Sequence, residues 1–516
     1  MDILEKRNAE LHATAIEEKK EGVYAEENVG LRADWYTDAQ FAQQHLTGVN
    51  PTGLKRASTF WIAAFRAAAH AQENEDAEHL LSSCAHDTLY MVDNSDFRSI
   101  LGKSPDAIIV SADSTMTSKA PRFGCASVTL FTLSPHGTLH PVAVVLDYRG
   151  SIDAATSVTI FNRRPTSDAQ CVDEKSDWPW RYAKMCSHTA DWTRHELAVH
   201  LVHTHFIEEG LIVAAQRSFP DTHVILQILQ PHWKKTLSLN ALARQLLVPV
   251  YINDITPVQL ADIQAFCVNA YKTFDFVDSY VPNDLEKRGF PVCHLDDKKY
   301  HNYAYARDIA KSWFVLRKFV CNVLQGHYKN GDVDVRDDKY ITNFCAEMQS
   351  AEGGKLTSFP TINTLDSLID VVTMCIHIAA PQHTAVNYLQ QFYLSFIPNR
   401  PASLAAPIPR SLEELNAYTE AHVMASLPLA DQKDWLIMAE IPYLLSSEVD
   451  PENNIIAYAE QAVHSTNPLI AKASEEFRQD LEELTGIFHK FSDEMDDQAT
   501  KYHVLDPEVM ANSILI

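Results

Sequence analysis

Glycine is scarce in this chain, at 15 of 516 residues, roughly 3% where ~7% is usual. Few backbone positions therefore need the dihedral freedom that glycine alone has. With Ala, Leu, Glu and Gln plentiful, the expected fold class is mostly α. Basic charge is also in short supply, since 43 Lys plus Arg stand against 68 Asp plus Glu, a formal net charge of −25. A field of that sign repels phosphate backbones and anionic lipid, which argues against nucleic acid as a partner.

Paired cysteines are missing too. The nine cysteines, among them Cys84, Cys171 and Cys375, are odd in number, widely scattered and never arranged as C-x-x-C, so reduced thiols in a cytoplasmic protein are expected. The N-terminus, Met1-Asp2-Ile3-Leu4-Glu5-Lys6-Arg7, lacks the apolar core of a secretion signal. The most apolar run, Ile369 to Ala380, contains Asp370 and falls far short of the ~20 residues that cross a bilayer. A soluble protein follows as the expectation.

Neither a repeat nor a Pro/Gly/Ser-rich linker divides the chain, so one domain spanning 1–516 is expected. Residues 1–95 read as a helical lead-in, with an alanine-rich stretch from Phe60 to Ala71 that would pack on a larger body. Residues 107–147 change character. Ile108-Ile109-Val110, Ser127 to Leu133 and Val142 to Leu146 read as strands, the last two joined by a turn at Ser134-Pro135-His136-Gly137. Residues 178–516 read as a large helical body, broken near Pro220, Pro231, Pro249 and Pro282 and at the Gly353-Gly354 loop.

The densest chemistry begins at His195-Glu196-Leu197-Ala198-Val199-His200 and runs to His205, placing His195, His200 and His205 five residues apart. At ~100° per residue, positions i and i+5 diverge by about 140° on an α-helix, whereas π-helical bonding returns them to one face. The spacing predicts a π-helical stretch. It also excludes the zinc-protease pattern H-E-x-x-H, because three residues separate Glu196 from His200. A histidine-rich helix facing solvent is the plain alternative, against which Leu197, Leu201 and Val202 argue for burial.

Some 180 residues on, His383 and Asn387 stand at i and i+4 and share an α-helical face. They follow an apolar run, where a buried imidazole and amide need partners; a metal ion or a satisfied core pair would each serve. The chain end, Ala511-Asn512-Ser513-Ile514-Leu515-Ile516, is apolar where termini are usually polar. It is either a packed tail or a buried carboxylate that needs a cation. Together, His200, His205, His383, Asn387 and the Ile516 α-carboxylate would form a six-coordinate N/O set with one position left for water, better suited to redox-active iron than to tetrahedral zinc.

These elements resemble the lipoxygenase family, whose motifs are a histidine helix with five-residue spacing, a later H-x-x-x-[HN], and a C-terminal isoleucine ligand. Other stretches agree: Leu130-Phe131, Gly137-Thr138-Leu139-His140-Pro141, Trp180 with Ala183-Lys184, Asn240 to Gln245, and Pro282 to Leu285 with Lys287-Arg288-Gly289. The resemblance implies that His200, His205, His383, Asn387 and Ile516 ligate one non-haem iron, with His195, Glu196 and Gln390 just behind them. Manganese members are similar but shorten the first histidine spacing, so iron is expected here and manganese is the alternative.

Several further expectations follow from the resemblance. No run of alternating strands precedes Ile108, so the N-terminal β-barrel of plant and animal members is expected to be absent, as in compact bacterial or fungal ones. The activity implied is oxygenation of a polyunsaturated fatty acid of the linoleate type by O2. A ferric hydroxide removes a bis-allylic hydrogen and O2 traps the resulting radical. Ala243 matches the family's stereocontrol position, where alanine accompanies S hydroperoxides, and Leu247 a residue that presses on the pentadiene. A long apolar channel walled by residues 224–248 and at most transient membrane contact are implied as well. The alternatives are a hydroperoxide isomerase and a catalytically silent helical lipid-binding protein, the latter disfavoured because all five ligand positions are intact.

Overall fold

The computed structural model describes residues 1–116, 118–167 and 172–516; Cys171 lies outside them. Mostly α is the fold class found, with one five-stranded sheet and one two-stranded sheet among the described residues. The chain groups into two compact units. The first comprises Met1–Leu197, Arg244–Phe266 and Leu389–Ser446, the second Ala198–Ala243, Cys267–Tyr388 and Ser447–Ile516.

The first unit holds both sheets. The larger is wholly antiparallel, in the spatial order Lys55–Arg56, Leu89–Asp93, Val128–Leu133, Leu139–Val145, Thr159–Phe161. The expected hairpin is present and Gly137 takes a positive φ of 88° in its turn, where a side chain would be strained. The remaining expected strand is shorter than read, pairing only Val110–Ser111 with Arg122–Phe123.

The helical reading of residues 1–95 needs correction. Helices Asp2–Glu18, Asp38–Thr47, Thr59–Ala71 and Glu75–Ser83 are present, but Lys55–Arg56 and Leu89–Asp93 are strands. Leu89, Tyr90, Met91 and Val92 are all buried. A strand covered on both faces shows no alternation, so its period cannot separate it from a helix. The alanine-rich helix packs Trp61, Phe65, Ala68 and Ala69 on the sheet residues Met91, Leu130 and Ala143, while Phe60 faces solvent.

Buried polar groups tie this unit together. Asp38 accepts hydrogen bonds from Trp180 Nε1 at 2.8 Å and Lys184 Nζ at 2.9 Å, and it also pairs with Arg164. Burial alone would raise the Asp38 pKa, but the Lys184 and Arg164 charges outweigh it and the carboxyl sits below its ordinary value. The motif residues Trp180 and Lys184 thus hold the N-terminal segment.

The second unit is built on Ala304–His327, which packs against Leu365–His377 and the 26-residue helix Pro468–Asp493. The long helix buries Ile470, Ala473, Phe477, Leu481, Leu484, Phe488 and Phe491, the three-and-four spacing of one apolar stripe. Pro468 begins it and the Asn467 side chain caps Leu469 N at 3.0 Å. Val281–Arg288 ends at Gly289 with φ 90°, and Arg288 donates to Asp284 and to the Tyr303 hydroxyl.

Prolines punctuate the helices less uniformly than expected. Pro220 follows a helix end, Pro231 lies in a short 3-10 turn and Pro282 in a first turn, but Pro249 sits inside the π-helical stretch Ala243–Ile252. Pro381 does the same in Ile378–Gln382. A π turn interrupts the i to i−4 ladder, so a missing N–H is tolerated there. One helical run, Trp178–Ser218, is long and apolar enough to cross a membrane by composition; 72% of its most apolar window is buried inside the protein.

Candidate metal centre

His200 and His205 lie on the π-helical stretch His195–Phe206, as their spacing predicts. The wider turn brings the two rings to 5.1 Å between centroids. His383 opens the helix His383–Asn387 directly after the π turn at Pro381. Its ring lies 4.9 Å from that of His205 and 5.5 Å from that of His200. The Nε2 atoms of His205 and His383 are 3.2 Å apart, and one nitrogen from each of the three rings lies within 4.8 Å of the others. All three side chains are buried.

The electrostatics disfavour a charge on His383. Burial, and then the neighbouring His205 and His200, push the His383 pKa well below its ordinary value. His205 is also locked in one tautomer. Its Nδ1 faces Asn240 Oδ1 at 2.9 Å, and the Asn240 amide is oriented because its Nδ2 donates to His205 O at 2.8 Å and to Glu209 Oε2 at 2.9 Å. The Nδ1 atom must therefore be the donor, which leaves a lone pair on Nε2 pointing at His383. Three buried imidazoles converging on one point form a donor set for a first-row divalent or trivalent ion, and among the described residues no thiolate joins them. The residues fit a metal.

The other expected site residues are distributed as follows. Asn387 is fully buried at the end of the His383 helix. His195 and Glu196 are buried at the start of the π-helical stretch, and Gln390 is buried at the start of Gln390–Leu394. Ala243 is buried as the first residue of the π-helical stretch Ala243–Ile252, where Leu247 is half-buried.

The chain end is anchored almost to its last residue. Ala511 bridges Asn454, Asn512 N donates to Asn453 O at 3.0 Å, and His232 Nδ1 donates to Asn512 O at 2.7 Å. Lys234 N donates to Ser513 Oγ at 3.1 Å. Ile514 is fully buried, whereas Leu515 and Ile516 are half-buried. Sequence reading missed Asn240 and His232 as positioning residues. The signal was slight: an asparagine inside a helix, and a histidine beside Pro231.

The lipoxygenase family model matches residues 27–503. The chain belongs to the lipoxygenase family. A curated relative, the manganese lipoxygenase of Pleurotus sapidus, is 48% identical over 492 residues, covering 95% of this chain and 75% of its own length. The probable linoleate 9S-lipoxygenase 4 of Oryza sativa subsp. japonica is 28% identical, covering 73% of this chain and 43% of its own length. Among solved structures, the fungal lipoxygenase from Fusarium graminearum superposes with a TM-score of 0.90 at 41% identity, over 95% of this chain and 81% of that one. This lipoxygenase is accordingly a dioxygenase, and its mostly helical fold matches that of a fungal relative.

Proposed function

We propose that this lipoxygenase inserts O2 into the cis,cis-1,4-pentadiene of a linoleate-type fatty acid, giving an S-configured hydroperoxide at a non-haem iron centre. Its ligands would be His200, His205, His383, Asn387 and the α-carboxylate of Ile516. The observation that carries this reading is the convergence of three buried imidazoles within 4.8 Å, one of them fixed in its tautomer by Asn240. A metal held there by His200, His205 and His383 would supply one-electron redox chemistry suited to a weak bis-allylic C–H bond.

The chain's own residues supply position and environment. Asn240 and Glu209 hold the His205 ring. The contacts from His232, Lys234 and Asn453 fix the tail at Asn512 and Ser513, a few residues before Ile516, which supports delivery of its carboxylate to the same place. Leu201, Val202 and Ile207, neighbours of His200 and His205 in sequence, are all buried, and burial disfavours a charge on His383. His195, Glu196 and Gln390 are proposed to orient ligands from behind. Residues 224–248 are proposed to wall the channel, with Ala243 steering oxygen and Leu247 pressing on the pentadiene.

Manganese is a second reading, favoured by the Pleurotus sapidus relative, which is named for that metal. The five-residue spacing of His195, His200 and His205 supports iron. A single preparation tests both. Purified protein is given linoleate, conjugated-diene absorbance is followed, and iron and manganese are measured on the same sample. Diene formation with near-stoichiometric iron is the expected result. Manganese in place of iron would overturn the metal assignment, and absence of diene with the metal present would overturn the activity.

A further inference from the structure

A second group of metal-ligating side chains lies outside the centre just described. His489, on the last turns of Pro468–Asp493, and His503 and Asp506, on the segment leading to the C-terminal tail, bring one ligand atom each within 4.8 Å of one another. The His489 Nε2 atom is 2.6 Å from Asp506 Oδ2, and the two imidazole rings are 5.0 Å apart, edge to face. Both histidines are exposed, whereas Asp506 is only 6% exposed.

The carboxylate is the built part of the cluster. Its Oδ1 accepts from Thr485 Oγ1 and from Glu508 N, both at 3.1 Å, and this fixes the plane of the group with Oδ2 presented to the histidines. Thr485 and His489 stand at i and i+4, so the helix face that orients the carboxylate also carries the first imidazole. Lys501, two residues before His503, is paired with Asp493, and Lys490, next to His489, lies 3.9 Å from Glu494.

We propose that His489, His503 and Asp506 form a peripheral site for a divalent transition ion of the zinc class. Two imidazoles and one carboxylate with open positions for water match such an ion, and exclude calcium and magnesium, which favour all-oxygen shells. On binding, His489 Nε2 and Asp506 Oδ2 both turn to the ion, the proton between them passing to His489 Nδ1 or to solvent, and the ion joins the long helix to the segment just before the anchored tail. The ion thereby braces residues 503–516 from outside. That bracing does not depend on the identity of the catalytic metal.

The test uses untagged enzyme carrying its catalytic metal, titrated with Zn2+ by calorimetry and with Co2+ by visible absorption. One additional equivalent is expected, with a cobalt d–d band of a low-coordinate N/O site and slower hydrogen exchange in residues 503–510. His503→Gln and Asp506→Asn should each weaken binding roughly tenfold or more while leaving the catalytic metal content unchanged. His503 is exposed, so its variant tests the site without threatening the fold. Retention of wild-type affinity in the His489→Gln/His503→Gln pair would overturn the assignment. So would the absence of a second equivalent, which would leave the His489 to Asp506 contact a hydrogen bond only.

Discussion

Asn240 Oδ1 lies 2.9 Å from His205 Nδ1, and the same asparagine donates back to His205 O and to Glu209. One amide thus decides which imidazole nitrogen carries the proton. Asn240→Ala should therefore loosen the ring and let the proton move to Nε2, weakening the bound metal about 10- to 100-fold. Metal content after dialysis against a graded chelator series reads this directly. Equal retention in variant and wild type would show that His205 needs no such partner.

His200→Ala should lose metal and oxygenase activity together, because it removes one of the three converging imidazoles. Elemental analysis alongside oxygen uptake checks it. A variant with full metal content would overturn the ligand assignment whatever its activity.

Buried charge in the first unit gives a stability prediction. Asp191 and Arg400 are both fully buried and pair at 2.6 Å, with Asn50 Nδ2 also 2.6 Å from Asp191. Removing one partner leaves the other charge in a low dielectric, so Arg400→Leu should cost about 3–5 kcal/mol. Replacing both with apolar residues should recover much of that. Urea midpoints of the single and double variants make the comparison, and a harmless single variant would refute it.

Acid should act through the tail's anchor. Burial holds the His232 pKa down at about 4, against roughly 6.5 in an unfolded chain. The folded protein then binds fewer protons than the unfolded one between those values. The stability that His232 contributes is present above pH 6.5 and is lost as pH falls toward 4, roughly 3 kcal/mol in all. Other buried histidines titrate too, so the difference between wild type and His232→Gln isolates this one. Melting temperatures from pH 7.5 to 4.5 should fall less steeply in the variant; parallel curves would exclude the effect.

Legibility in the sequence followed how local each signal was. The π-helical stretch was readable because an i, i+5 histidine series has one conformation that aligns it. The π turns at Pro249 and Pro381 were not, since a proline reads as a break and only packing decides whether the helix runs on. The hairpin around Gly137 announced itself through turn residues. Leu89–Asp93 did not, because burial on both faces erases the alternation that marks a strand. At the site, His200, His205 and His383 stood out by spacing and burial, while Asn240 and His232 act across 35 and 280 residues of sequence and are ordinary in their local context.

Ala243 offers the sharpest test of the proposed stereochemistry. It is buried as the first residue of the π-helical stretch Ala243–Ile252, with Leu247 one turn on. A methyl group at a wall position closes space that glycine would leave open, and O2 is small enough that a single methyl can decide where it reaches the radical. Glycine would also loosen the first turn of the stretch, at a cost of roughly 0.5–1 kcal/mol relative to alanine, too little to unfold a protein of this size. Ala243→Gly should therefore keep its metal and much of its rate while moving oxygenation toward the R product at a neighbouring carbon of the pentadiene. Chiral-phase chromatography of the reduced products separates the outcomes. An unchanged S product would remove Ala243 from the oxygen path, and a loss of all products together with the metal would mark the residue as support for the fold.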